Sequence, residues 1–343
     1  MFYQVRIPPA QRKFVKFLWW KDGDINGDLI DHQMCAHIFG GTSSPSCSNF
    51  ALRKAATDGE DIFGHDAAET LRRNFYVDDL LKSCNTVQES VELIKNVSQM
   101  CKEASFRLTK FISNEPKALS EVPKEDVKLD TASYEVSGRS SIERVLGVHW
   151  EVKNDVLGFH IVLKDQPLTR RGILATISSI YDPLGFASPF LLKGKIILQH
   201  LNAEKLGWDD PIPNEYKVKW ERWRSYLQYL EKIKVNRCFK PKDFGEVKEI
   251  SLHHFSDASE IGYGQCSYLR LVNLHGKINC SFVQGKSRVV PTKPKLTMPR
   301  LELAAAVLSV KLGKNILKEL DYKVCYEVFW ADSNVALSYI KSD

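Results

Sequence analysis

The run Asn74-Phe75-Tyr76-Val77-Asp78-Asp79-Leu80-Leu81 sets two adjacent carboxylates between apolar flanks. Successive side chains of an extended strand point to opposite faces. Asp78 and Asp79 can therefore serve one site only where the chain bends, which predicts a β-hairpin with the pair at its tip. Clustered carboxylates suit Mg²⁺, a hard cation that takes oxygen ligands. Two such ions about 3.5–4 Å apart can clamp the attacking and leaving oxygens of a phosphoryl transfer. Taken alone, the pair also reads as a solvated turn, where Asp is common.

A second acidic set lies near the C-terminus. Asp257 follows the strand-like run Ile250-Ser251-Leu252-His253-His254-Phe255. Glu302 falls in the expected first turn of a helix with Thr297 as its cap and Pro299 as a favoured starter. Leu301, Ala305, Leu308, Leu312 and Ile316 mark that helix's buried face. Asp332 closes the expected strand from Val324 to Ala331. Acids ending two strands and opening a helix can converge on one Mg²⁺ site although far apart in sequence. Each also has a plain structural reading: Glu302 favours the helix dipole, and Asp332 can cap a following helix.

A chain of 343 residues can bury large cores and holds two or three domains. Its 48 basic and 42 acidic residues give a net charge of +6, which permits a nucleic-acid partner without demanding one. Eight scattered cysteines show no Cys-x-x-Cys spacing, which argues against a structural zinc or a disulfide framework. The basic, aromatic N-terminus lacks the apolar core of a signal peptide, and no stretch has the roughly 18 apolar residues of a membrane span.

Residues 1–115 read as mixed α/β: a strand-like opening at Phe2–Ile7, an apolar run over Phe14–Trp20, a turn at Asp22–Gly27, a strand over Gln33–Phe39, and a helix from Ser44-Pro45 to Ala56. Thr86-x-x-Glu89 is a capping box. It opens a helix with Val91, Ile94, Val97 and Cys101 on one face, returning to a strand at Phe106 and Leu108. The polar stretch 114–141 contains Asp130-Thr131-Ala132, an isolated echo of an aspartic-protease nucleophile without the apolar strand expected before it. Strands are expected over 145–150 and 156–163, and helices over 169–235. There Tyr216, Trp220, Trp223, Leu227 and Leu230 recur at helical spacing. That stripe reads as core, with gripping of nucleic acid as the alternative. Residues 236–248 read as a linker to a separate α/β unit.

In their order along the chain these segments resemble reverse transcriptases, most nearly the polymerase region of BEL/Pao-type LTR retrotransposon polyproteins. The resemblance rests on Phe39-Gly40-Gly41-Thr42-Ser43-Ser44-Pro45, Tyr76-Val77-Asp78-Asp79, Phe106 to Asn114 around Lys110, and Leu146-Gly147-Val148-His149-Trp150. Tyr181-Asp182-Pro183-Leu184-Gly185 and Trp208-Asp209-Asp210-Pro211 are similar to segments of that family's thumb and connection. Phe255-Ser256-Asp257-Ala258-Ser259, Lys286-Ser287-Arg288-Val289, Pro299-Arg300-Leu301-Glu302-Leu303 and Trp330-Ala331-Asp332-Ser333 resemble its ribonuclease H domain.

The resemblance implies an α/β (α+β) chain. Residues 1–115 would be a partial reverse-transcriptase palm, 116–240 the primer grip, thumb and connection, and 249–343 a partial ribonuclease H-like domain. It implies Mg²⁺, or Mn²⁺ in its place, at Asp78 and Asp79 for RNA-directed DNA synthesis, and at Asp257, Glu302 and Asp332 for hydrolysis of RNA. Phe2 would screen the nucleotide sugar, Gly40, Ser44, Pro45 and Tyr76 would support template and nucleotide, and Lys110 would stand near the triphosphate. Implied partners are an RNA template, a DNA primer, an RNA–DNA hybrid and dNTPs, with no membrane, in a cytoplasmic virus-like particle or the nucleus. The family's first palm Asp would precede Met1 and its fourth nuclease acid would follow Asp343, so a fragment with impaired polymerisation is expected. A host-retained protein that binds nucleic acid without turnover is the alternative.

Overall fold

A computed structural model of the chain describes residues 1–128, 142–145 and 148–341. Asp130-Thr131-Ala132, Leu146-Gly147 and the terminal Asp343 lie outside the described residues. The chain divides into two compact units, 1–141 and 142–343.

In the first unit, β1 (Lys16–Trp20) and β2 (Leu29–Gln33) form an antiparallel hairpin with Trp20 opposite Leu29. The expected strand at 33–39 is therefore shifted: β2 ends at Gln33, and beyond it only Ala36 pairs, with Arg6. Phe2–Gln4 is a 3-10 turn, not a strand, because Gln4 and Val5 donate locally to the carbonyls of Met1 and Phe2.

Helix α1 runs over Ser44–Phe63, past the expected end at Ala56. Gly59 is no stop signal. It lets α1 approach its neighbour so closely that a β-carbon there would meet Met100 Cγ at 2.9 Å. The break comes at Gly64, whose φ of +89° suits glycine, and α2 (His65–Arg73) follows. The guanidinium of Arg72 then pairs with Glu60 and Glu69, tying α2 back to α1.

The two-residue strands β3 (Phe75–Tyr76) and β4 (Asp79–Leu80) form the expected hairpin. Helix α3 (Val87–Glu103) starts at the expected box. Thr86 Oγ1 accepts from the Glu89 N–H at 3.1 Å, and the Glu89 carboxylate accepts from the Asn85 N–H. Val97, Met100 and Cys101 of α3 pack on Leu52, Ala56, Ala68 and Leu71. No strand forms at Phe106 and Leu108. Ser105 and Lys110 bracket them with φ of +65° and +60°, and a single bridge joins Phe111 to Val127.

The second unit begins with a four-stranded antiparallel sheet of β5 (Ile142–Val145), β6 (Val148–Glu151), β7 (Val156–Gly158) and β8 (Lys234–Asn236). Strand β7 stops short of the expected Leu163. Beyond it Phe159, Ile161 and Leu163 turn onto a helical core, and the Ile161 N–H is taken by the Glu231 carboxylate at 2.8 Å.

That core is built by α4 (Arg170–Ser179), α5 (Ser188–Ala203) and α6 (Asn214–Ser225). Tyr216, Trp220, Trp223, Leu227 and Leu230 are all buried in it. The aromatic stripe is core, and its burial leaves no ring face free to stack on a base. The stretch read as a linker is pinned at both ends: Arg237 grips Asp155, and Phe244 is buried with Leu252, Leu269, Leu271 and Ile316.

The last sheet has the order β11-β10-β9-β12. Strands β9 (Val247–Ala258), β10 (Gly262–Asn273) and β11 (Ile278–Val289) form an antiparallel meander, and β12 (Tyr326–Trp330) joins β9 in parallel. A parallel pair needs a crossover, and α7 (Met298–Glu319) supplies it while covering β9 and β10. A short α8 (Asn334–Lys341) follows β12.

Candidate metal centre

Strands β9 and β12 run in the same direction with Trp330 opposite Phe255. Asp257 and Asp332 lie two residues further along each, so parallel pairing brings them to the same end of the sheet. Helix α7 starts at Met298, one residue earlier than Pro299. This puts Glu302 in its second turn, where the helix dipole is a weak reason for an acid. Thr297 occupies the cap position without a side-chain capping bond.

Carboxylate oxygens of Asp257, Glu302 and Asp332 lie within 4.8 Å of one another. Among the described residues this is the only group of three or more His, Cys, Asp or Glu side chains so arranged. Burial first, and then the charges of Asp257 and Asp332, push the Glu302 carboxyl above its ordinary value. Three negative groups at this distance repel one another, and a cation between them would remove that cost. Hard oxygen donors alone make up the set, which fits Mg²⁺ or Mn²⁺.

Asp332 is free of the capping role that the sequence also allowed. Ser333 takes it: its Oγ accepts from the Ala336 N–H at 3.2 Å at the start of α8. Asp257 Oδ1 accepts from the following Ala258 N–H at 2.8 Å. On the strand residues just before the two acids, Phe255 and Trp330 stack at 6.1 Å with their planes 9° apart, 42% and 49% exposed. The Trp330 Nε1–H donates to His253 Nδ1 at 3.1 Å.

Asp78 and Asp79 sit in the first unit at the tip of the β3–β4 hairpin, both exposed. Tyr76 pairs with Asp79 across the ladder, so Val77 and Asp78 are the two turn residues. Val77 holds φ at +56°, a conformation that costs a β-branched residue roughly 1–3 kcal/mol. Among the described residues no third acid, His or Cys joins this pair in a ligand-distance cluster.

Phe2 is buried, edge-on to Phe39 at 4.9 Å. Gly40 has φ of +83°, the Ser44 hydroxyl lies 3.4 Å from His37 Nδ1, and Pro45 stands in the first turn of α1. Tyr76 is 67% exposed, and Lys110 is exposed as well. Two groups that no sequence signal singled out, the fully buried His254 and the partly buried Glu327, stand on the same two strands as Asp257 and Asp332. A histidine in an apolar strand ordinarily reads as core, and nothing in its spacing separates it from that.

Residues 169–333 match the family described as the Pao retrotransposon-like RNaseH-like domain. No curated protein matches the chain. Among solved structures, the foamy viral protease-reverse transcriptase dRH in complex with double-stranded DNA is similar, with a TM-score of 0.53 and 17% identity. The similarity covers 97% of this chain and 49% of that one. A second structure, of the foamy viral protease-reverse transcriptase with double-stranded DNA, gives the same TM-score and identity over 97% and 58%. The chain thus spans about half the length of these structures, and at that identity the likeness is one of fold.

Proposed function

As a retroelement region whose residues 169–333 are a Pao retrotransposon-like RNaseH-like domain, this chain carries, we propose, a metal-dependent nuclease centre at Asp257, Glu302 and Asp332. The observation that carries the reading is their convergence within 4.8 Å from two strands and a helix. The substrate class is the RNA strand of an RNA–DNA hybrid. A divalent ion held by the three carboxylates would supply positive charge for the scissile phosphate and for an attacking water. The chain's own part is to hold three oxygen donors at one end of a rigid sheet. Burial and the two neighbouring acids raise the Glu302 carboxyl above its ordinary value, a shift that a bound cation would oppose.

Asp78 and Asp79 are proposed as the polymerase pair of the first unit, for RNA-directed DNA synthesis with a template, primer and dNTPs. The exposed hairpin tip and the strained Val77 support that assignment. Phe2, Gly40, Ser44, Pro45, Tyr76 and Lys110 remain proposals for the surrounding site. We place the protein in a cytoplasmic virus-like particle or the nucleus. No helix among the described residues is long and apolar enough to cross a membrane.

Cleavage of a labelled RNA–DNA hybrid in Mg²⁺ tests the nuclease reading. Cleavage that disappears in Asp257→Asn and Asp332→Asn supports it. Hybrid binding that weakens with salt, without cleavage in Mg²⁺ or Mn²⁺, leaves the non-catalytic alternative.

A further inference from the structure

His254 and Glu327 stand three and five residues before Asp257 and Asp332, on the parallel neighbours β9 and β12. The His254 side chain is fully buried, and its Nε2 lies 3.3 Å from Glu327 Oε1. On the other side of the ring, Nδ1 is 2.8 Å from Ser267 Oγ of β10, which is 3.0 Å from Gln265 Oε1. The imidazole stacks on Phe329 at 4.6 Å. From above, α7 presses Gly313 onto both rings: a β-carbon there would meet Phe329 at 3.1 Å and His254 at 3.2 Å. One imidazole thus touches β10 and all three elements that carry the acids.

Burying such groups is costly, and well-packed apolar side chains often serve stability as well or better. What an apolar pair lacks is direction. A slip of β12 past β9 would carry Glu327 and Phe329 away from an imidazole that β10 fixes through Ser267. A slip of one residue between parallel strands moves their ends by about 3.3 Å, enough to break a cluster only 4.8 Å across.

We propose that His254 and Glu327 are a positioning pair that locks β9, β12 and α7 in the alignment that brings Asp257, Asp332 and Glu302 together. The role rests on the metal-site reading above. Burial, only partly offset by the Glu327 charge, holds the His254 pKa below its ordinary value.

Mn²⁺ binding to the whole 343-residue chain, measured by calorimetry at pH 7.5, tests it, with circular dichroism to verify folding. Wild type should bind in a manner that Asp257→Asn abolishes. Glu327→Leu should weaken Mn²⁺ by roughly tenfold, the scale of lost outer-sphere support, while Glu327→Gln, which keeps the contact, should restore most of it. If Glu327→Leu does not fold, Glu327→Asp, with its carboxylate drawn back, should weaken Mn²⁺ relative to Glu327→Gln. Unchanged Mn²⁺ affinity in a folded Glu327→Leu or Glu327→Asp protein overturns the positioning role and leaves the metal site standing. Absence of Asp257-dependent binding in wild type removes both.

Discussion

Gly185 lies so close to Gly285 that a β-carbon on Gly185 would overlap the Gly285 carbonyl oxygen. Its φ of +81° is itself glycine territory. The loop it belongs to docks on β11: the Gly285 N–H donates to the Leu184 carbonyl at 2.8 Å and the Ser287 hydroxyl to that of Ser188 at 2.9 Å. Asp182 closes the loop by accepting from the Ala187 N–H at 2.9 Å. Gly185→Ala should therefore cost at least about 2 kcal/mol, combining backbone strain with displacement of the loop. Thermal unfolding of the variant measures it, and a midpoint equal to wild type would show that the loop is not tightly seated.

The Glu302 carboxyl is raised by burial and by its two acidic neighbours. The folded protein thus holds this proton more tightly than the unfolded chain. Its contribution to stability is complete below the ordinary value of about 4.5 and is lost as pH climbs through the raised value. Without metal, wild type should lose more thermal stability than Glu302→Gln as pH rises above that point. Mg²⁺ favours the ionised form, so its stabilising effect should grow with pH over the same window. An equal Mg²⁺ shift in melting temperature at pH 4.5 and pH 7.5 would contradict the assignment.

Asp78 and Asp79 are exposed and outside the core. Replacing either with Ala should alter stability by no more than about 0.5 kcal/mol, as for other surface sites. Any Mg²⁺-dependent primer extension should vanish in both variants. Extension that survives either change would remove the pair from the proposed polymerase site.

Trp223 is buried, donates from Nε1 to the Phe190 carbonyl at 3.0 Å, and fills the space left by Gly194. Truncation to Ala should cost about 3–5 kcal/mol. Denaturant unfolding followed by circular dichroism distinguishes this from a surface role, in which stability would hold and only affinity for nucleic acid would fall.

Several features were readable from local chemistry. Thr86 and Glu89 announced the start of α3 because a cap needs only residues within one turn. The spacing of Tyr216, Trp220 and Trp223 announced a buried face. Other readings failed where a distant partner decides. Phe106 and Leu108 alternate like a strand, yet the left-handed turns at Ser105 and Lys110 deny them a ladder. The helix expected to end at Ala56 runs on to Phe63, with Gly59 set closely against Met100 of a distant helix.

The short hairpin around Asp78 pairs Tyr76 with Asp79, and apolar spacing turned one side of certain helices inward. Those outcomes rest on bonds and contacts between near neighbours, so the sequence alone determined them. The meeting of Asp257, Glu302 and Asp332 was decided only in three dimensions, as was the buried histidine beside Glu327. It depends on which strands pair, in what register, and how a crossover helix settles on them, and such long-range choices leave no periodic trace in the chain.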